Sequence, residues 1–335
     1  MNPRTSIIAS SIVAVLASSL FGTAQDKNIT VYSGRSQALV EPLIKQFERE
    51  SGIKVNVKYA TDAALVAALQ EEGSRTPADV FWANTSGALG VAAKAKLLKI
   101  LPANLRGKSA VFTPESGLWT PISVRFRVLA YNTKTVKPEE LPASVMDLTK
   151  LAKFKGKIGW TPTYSSFQDF IGVMIALKGT EASKTWLDGI KALEPKNYAA
   201  SNTAMMEALK AGEIDIALTN HYYIQRFVKS AAPIGTHYFA AGDPGSLALV
   251  TGAGLLSISK KTVDSQKLLR YLLEPKSQQY FTGEVFEYPV ISNVILPGTL
   301  LPFAEMVNRS PQIDQEKMGE LLEPAQKLLR DAGII

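Results

Sequence analysis

The 335-residue chain has no cysteine and only two histidines, His221 and His237. The first absence excludes a disulfide scaffold, thiolate metal sites, iron–sulfur clusters, a cysteine nucleophile and a lipid anchor on cysteine. The second leaves too little for a His-rich zinc site or a Ser-His-Asp centre, so any metal must be held mainly by oxygen. Dense basic runs are missing too. The 37 Lys and Arg and 30 Asp and Glu give a formal charge of +7, but they are spread along the chain without the aromatic interleaving of nucleic-acid binders. No nucleic-acid partner is expected. The chain also shows no paired-carboxylate signature, Gly-rich phosphate loop or nucleophile elbow, so an exported hydrolase or transferase would lack an evident base and nucleophile.

One apolar run is present. Residues Met1 to Ala24 carry a single basic residue, Arg4, then an apolar stretch broken only by serines (Ile7 to Phe21) and small residues ending Gly22-Thr23-Ala24. This is the shape of a secretory signal peptide, too short and Ser-rich for a comfortable membrane span. Its removal leaves 36 basic against 30 acidic residues, or +6, on an exported, periplasmic protein. A length of 335 residues suggests about two domains at roughly 100–200 residues each.

Helix and strand signals then alternate. Ile29 to Tyr32 reads as a strand stopping at Ser33-Gly34. Ser36 is a candidate N-cap for a helix with Leu39, Leu43, Ile44 and Phe47 on one face, ended by Gly52. The alternation Ile53, Val55, Val57, Tyr59 is a strand, a helix spans about Ala63 to Glu72, and Ala78 to Trp82 is a buried strand. This βαβαβ opening predicts an open α/β sheet with ligands beyond the carboxyl ends of strands. Val124, Phe126, Val128 and Ala130 alternate with Arg125 and Arg127 in a strand able to run between two lobes. Lys157 to Trp160 is a strand, and Ser165 or Ser166 begins a helix ending at Gly179. Further helices hold Trp186, Leu187 and Ile190, then Thr203 to Ala211. Ile214 to Leu218 is an apolar strand, and Ser265–Leu273 and Met318–Leu329 read as helices.

The chemistry concentrates in tyrosines. Tyr222 and Tyr223 follow the strand Ile214–Leu218 directly, in Asn220-His221-Tyr222-Tyr223. In a strand their side chains would diverge; at a helix start they lie about 100° apart and converge. Phenolate is a hard anionic donor, and a trivalent ion competes well for the proton of a group with a pKa of about 10. An aromatic pair packed at a lobe edge is the plainer alternative.

The segments Ile29-Thr30-Val31-Tyr32-Ser33-Gly34, Ser51-Gly52-Ile53-Lys54-Val55, Glu72-Gly73-Ser74-Arg75-Thr76-Pro77-Ala78-Asp79-Val80-Phe81, Gly212-Glu213-Ile214-Asp215, Asn220-His221-Tyr222-Tyr223, Asp243-Pro244-Gly245 and Glu287-Tyr288-Pro289 resemble, in order along the mature chain, the ferric-ion-binding periplasmic proteins of ABC transporters. The resemblance implies a transferrin-lobe-like, two-lobed type II periplasmic binding protein. Each lobe would be a mixed sheet flanked by helices, joined by crossing hinge strands: a signal peptide at 1–24, a first lobe at 27–125 plus about 250–302, and a second lobe at 126–249 plus about 303–335. It further implies Fe³⁺ held by the phenolates of Tyr222 and Tyr223 and delivered, by a monomer, to an inner-membrane permease and its ATPase.

Many members have a His ligand after the first strand and a Glu ligand after the Asp-Val-Phe strand; here the corresponding residues are Ser36 and Asn84, neither a replacement anion. Members lacking those ligands hold iron by second-lobe tyrosines and a synergistic anion such as carbonate. The resemblance therefore implies Tyr164 as third phenolate, Arg35, Ser36, Ser165, Ser166, Asn202 and Asn220 as anion contacts, and Asn84 as a first-lobe closure residue. Three phenolates neutralise Fe³⁺, so a bound carbonate would need a cation, and a bidentate guanidinium at Arg35 suits a planar oxyanion. His221 is expected to point away from the pair, Tyr32 to pack, Arg125 and Arg127 to serve interlobe structure or closure, Asp79 and Asp215 to accept hydrogen bonds, and Met205 and Met206 to lie in a core. A same-fold receptor for a metal-free oxyanion such as phosphate, phosphonate or sulfate is the alternative.

Overall fold

In the computed structural model, residues 27–107, 111–228 and 230–335 are described. The anticipated leader, Met1 to Ala24, lies outside them. The strand β1 (Asn28–Ser33), helix α1 (Gln37–Ser51), strand β2 (Lys54–Tyr59), helix α2 (Asp62–Glu72) and strand β3 (Val80–Ala83) make the expected βαβαβ opening, with β1 paired in parallel to both β2 and β3. α1 forms because Val40, Leu43, Ile44 and Phe47 share one buried face. It stops at Gly52, whose φ of 68° lies in the left-handed region where a missing Cβ removes the steric cost. α2 is capped by the Thr61 hydroxyl, which accepts the Ala64 N–H.

After α3 (Ser86–Lys94) and the short β4 (Leu98–Lys99) comes β5 (Thr120–Asn132), buried at every position. Its first half pairs antiparallel with β10 (Ala248–Leu256), over Thr120–Phe126. The second half pairs with β8 (Ile216–Asn220) over Arg127–Tyr131 and with β9 (Ile234–His237) over Leu129–Asn132. With β6 (Ile158–Trp160) and β7 (Lys196–Asn197), the strand order is β2-β1-β3-β10-β5-β8-β6-β7, and β5 is the one continuous strand through which the two halves of this order connect. β11 (Tyr288–Pro289) also pairs with β5.

Helices cover both faces of each half, as an α/β fold requires. On the β1–β3 side, Phe47, Trp82, Leu268 and Phe281 fill one core, drawn together by α1, α8 (Thr262–Leu272) and α9 (Pro275–Tyr280). Leu65, Phe81, Leu89, Phe126 and Tyr288 fill the other, where α10 (Phe303–Arg309) also packs through Met306. On the β8–β6 side, α4 (Ser165–Lys178) and α5 (Thr180–Ala192) bury Phe167, Phe170, Trp186 and Leu187. On its opposite face, α6 (Asn202–Ala211) and α7 (His221–Val228) bury Met205, Met206, Tyr222 and Tyr223. α11 (Met318–Asp331) lies across both α3 and α4. It crosses α3 so closely that a Cβ on Gly90 would stand 2.8 Å from the Gly319 nitrogen.

The expected strand Ile214–Leu218 begins pairing two residues later, at Ile216, and runs on to Asn220. Asp215 approaches outside the ladder, donating its N–H to the Lys157 carbonyl. Among the described residues no helix is long and apolar enough to cross a membrane.

Candidate metal centre

A cavity of about 570 Å³ opens where β1, β3 and α2 on one side meet α4, α6 and α7 on the other, beyond the carboxyl ends of β1, β3 and β8. Its walls include Arg35, Ser36, Asn84, Tyr164, Ser165, Asn202 and Tyr223. Asp62, at the start of α2, builds the first wall by accepting the Asn84 and Thr85 N–H groups at 2.9 and 3.1 Å. Gly34 is required there, because a Cβ would lie 1.7 Å from the Asp62 Oδ1.

The opposite wall carries the tyrosines. β8 ends at Asn220 and α7 starts at His221, so Tyr222 and Tyr223 occupy the first helical turn. Their rings lie 4.1 Å apart at 31°, and the Arg226 guanidinium sits 5.1 and 5.5 Å from the two ring centres, attracted by their π faces. Tyr164 immediately precedes α4, and the Tyr223 hydroxyl donates to the Tyr164 hydroxyl at 3.4 Å. Tyr223 and Tyr164 face the cavity, whereas Tyr222 is 0% exposed behind them, and its hydroxyl is buried with no hydrogen bond of good geometry. Burial and then the charge of Tyr164 push the Tyr222 hydroxyl far above the ordinary phenol value, against Arg125 and Arg35. Tyr223 is raised by burial, Tyr164 and Tyr222. Burial also works against ionisation of Tyr164, but Arg125, the bond from Tyr223 and Arg35 together hold its hydroxyl below the usual phenol range. Tyr164 is thus the phenol best prepared to ionise.

A layer of charge lies beneath the cavity. The Arg35 side chain donates to Glu287 Oε1 at 2.6 Å and to Asn84 Oδ1 at 3.1 Å, and Asn84 turns its amide to Ser165 Oγ across the cleft at 2.7 Å. Arg125 donates to the Asn84 carbonyl at 2.5 Å. Arg127 donates to Asn220 Oδ1 at 3.4 Å and stacks on Phe170, 5.3 Å from its ring centre. Burial, followed by the neighbouring Arg125, lowers Arg127 to about 9. Burial opposes the charge on Glu287 too, but Arg35 and Arg125 outweigh it and hold the carboxyl below its ordinary value.

The other predicted contacts surround this core. Asn220 donates to Ser166 Oγ at 3.2 Å. Asn202 accepts from the Thr219 hydroxyl at 3.0 Å, and its buried amide nitrogen has no partner. Ser36 precedes α1 without capping it through its side chain and stays exposed. His221 accepts the Phe126 N–H on Nδ1 at 3.1 Å while Nε2 meets the Phe286 carbonyl at 2.8 Å. Those partners select the neutral Nε2–H tautomer, and burial lowers the ring to about 4. Tyr32 turns to Glu72, Asp79 accepts from Thr30 and Ser259, and Asp215 accepts from Thr135. Sequence reasoning gave no site role to Glu287, although Glu287-Tyr288-Pro289 carries part of the resemblance, and missed Arg226 and the wall residues Tyr59 and Tyr198. For Glu287 one signal existed, an acid inside the otherwise apolar stretch around Phe286 and Tyr288. Among the described residues no three His, Asp or Glu side chains gather as metal ligands, so the hydroxyl cluster is the hard-donor set available.

Known proteins resemble this chain along its length. A model of the bacterial extracellular solute-binding protein family matches residues 42–310. The major ferric iron-binding protein of Neisseria meningitidis serogroup B is 32% identical, over 99% of either chain. The Fe(3+)-binding periplasmic protein of Serratia marcescens is 30% identical over 96% of this chain and 97% of its own. Iron-bound HitA from Pseudomonas aeruginosa superposes with a TM-score of 0.85 at 33% identity, covering 92% of this chain and 99% of that one.

Proposed function

The chain belongs to the bacterial extracellular solute-binding protein family, and from that premise we propose that it is the periplasmic substrate-binding component of a ferric iron ABC transporter. It captures Fe³⁺ through Tyr222, Tyr223 and Tyr164 with a synergistic anion, carbonate by preference, and delivers the ion to an inner-membrane permease and its ATPase. The observation that carries this reading is the clustering of three phenols, two facing the cavity and Tyr222 directly behind them, with rings of Tyr222 and Tyr223 4.1 Å apart and hydroxyls of Tyr223 and Tyr164 3.4 Å apart. Such a set suits a hard trivalent ion and offers nothing to soft metals. The Tyr222 hydroxyl, buried with no hydrogen bond of good geometry, is left as an oxygen for the ion to use.

Capture proceeds by proton release. Tyr164, its hydroxyl held low by Arg125 and Arg35, meets the ion first, and the Tyr222 and Tyr223 protons, held high by burial, leave only when Fe³⁺ replaces them. Binding therefore weakens as pH falls. The anion takes the remaining positions against Arg35, with Ser36, Ser165, Ser166, Asn202 and Asn220 around it. We assign 27–125 with about 250–302 to a first lobe and 126–249 with about 303–335 to a second, and Asn84 reaching Ser165 to the closed arrangement of the two.

Titration of the purified monomer with ferric citrate in bicarbonate buffer should develop a visible phenolate-to-iron absorption band. No band in the wild type, or an undiminished band in Tyr222→Phe/Tyr223→Phe, overturns the assignment. The buried arginines favour one second reading, a receptor for a metal-free oxyanion. A thermal shift with phosphate but none with ferric citrate would select it.

A further inference from the structure

The Arg35 guanidinium lines the cavity, yet one of its nitrogens already holds Glu287 Oε1 at 2.6 Å, with the arginine side chain 1% and the glutamate 0% exposed. The second carboxylate oxygen takes the Ser123 hydroxyl at 2.5 Å, and that hydroxyl also meets Thr251 Oγ1 at 2.8 Å. Arg125 stands 3.9 Å from the same Glu287 Oε1. Its Nε and Nη1 have no hydrogen-bond partner, and neither does the Arg35 Nε. Two buried guanidiniums, Arg35 and Arg125, thus share one paired carboxylate, with a third, Arg127, held by Asn220. The other buried acids nearby are Asp62, which is spent on the Asn84 and Thr85 N–H groups, and Asp169. Buried donors left unpartnered beside a cavity are costly unless something anionic completes them.

We infer that Glu287 is a positioning residue and resident counter-ion for Arg35, and that it sets how strongly the empty cleft draws in an oxyanion. The inference rests on the proposed site, in which Arg35 faces the anion. Glu287 does two things at once. Its bond to Nη2 aims the guanidinium, and its charge cancels most of what Arg35 would present to the cavity. An incoming anion must therefore share Arg35 with a carboxylate fixed by Ser123. This keeps anion affinity moderate until a captured cation adds its own charge, and the same moderation allows release.

The test measures anion binding without iron. Calorimetric titration of the iron-free full mature chain with bicarbonate, and separately with phosphate, should show Glu287→Gln binding about tenfold tighter than wild type. The amide keeps the shape and the bond from Arg35 while removing the opposing charge, and one charge a few ångströms away acts at that scale through a protein interior. Glu287→Asp, which keeps the charge, should stay close to wild type, and Arg35→Gln/Glu287→Gln should lose the gain. Ser123→Ala, a milder change that removes a donor from the carboxylate and so strengthens its hold on Arg35, should weaken anion binding severalfold. It serves if Glu287→Gln does not fold. Equal or weaker binding by folded Glu287→Gln, tighter or unchanged binding by Ser123→Ala, or no anion binding by the wild type overturns the inference. The ferric band is recorded on the same samples. A normal band with indifference to residue 287 rejects this inference alone, whereas a missing band rejects the iron site itself.

Discussion

Asp169→Asn should stabilise the protein at pH 8 and change little near pH 4. Asp169, on α4, is 1% exposed and lies against the start of α3, so near that a Cβ on Gly87 would be 2.5 Å from its Oδ1. Burial raises its carboxyl to about 7; Thr85, Arg125 and the Gly87 N–H pull it down, and the charge of Asp62 pushes it up. An unfolded aspartate titrates near 3.9. The folded state therefore keeps a proton that the unfolded state has released between about pH 4 and 7, and stability falls as pH rises through that window. Three pKa units correspond to about 4 kcal/mol at most. Asp62, itself raised to about 6 by burial, shares the strain, so about 2 kcal/mol is a realistic gain for the asparagine variant at pH 8, or several degrees in Tm. Asp62→Asn is not equivalent, because Asp62 accepts two backbone N–H groups and its amide would meet one of them with a donor. Scanning calorimetry of both proteins at pH 4, 6 and 8 reads the difference. A gap that is constant with pH, or a variant less stable than wild type at pH 8, would refute the reasoning.

Gly90→Ala puts a methyl into the backbone of α11 and should cost about 1–3 kcal/mol, read as a lower denaturation midpoint; an unchanged midpoint would mean the helices part freely. His221→Ala leaves the Phe126 N–H buried without its acceptor and should cost about 1–3 kcal/mol, while His221→Gln, with an acceptor of its own, should recover part of that loss in the same urea titration. Arg226→Met keeps the apolar stem and removes the cation over Tyr222 and Tyr223, so the ferric band should form at a higher iron concentration and shift in position; an identical titration would reduce Arg226 to packing. Asn84→Ala deletes the contact with Ser165 and should speed iron loss to a chelator in stopped-flow, with the band itself preserved.

Much of the fold was legible because local signals and tertiary outcome agree. The face of α1, the glycine that ends it and the parallel β1–β3 opening follow from periodicity and capping. The placement of Tyr222 and Tyr223 on a helical first turn was legible from the end of an apolar strand. Other features depended on what folds against them. β10, Ala-Leu-Val-Thr-Gly-Ala-Gly-Leu-Leu, is a mostly apolar run whose period does not separate strand from helix. Arg125 and Arg127 alternate with apolar residues as on a half-exposed strand, yet both are buried, because β5 is covered where the two halves of the sheet meet. Glu287 finds Arg35 across 252 residues of chain, a pairing no local pattern encodes. The wall tyrosines Tyr59, at the end of β2, and Tyr198, just past β7, are brought to one cavity only by the tertiary fold.

β5 crosses the molecule as one rod, and Arg125 and Arg127 stand at the point where its partners change from β10 to β8. In a receptor that opens by rotation about such a crossing, displacement grows with distance from the axis. Atoms at the pivot hardly travel, while those on the cleft walls sweep through several ångströms. The guanidiniums of these two residues then act as a stationary electrode. Their positions, unlike those of the wall residues, would be the same in the open and closed receptor. What opening would change is access and the reach of the phenols, so a bound ion could leave while the charge that draws its partner anion stays where it is.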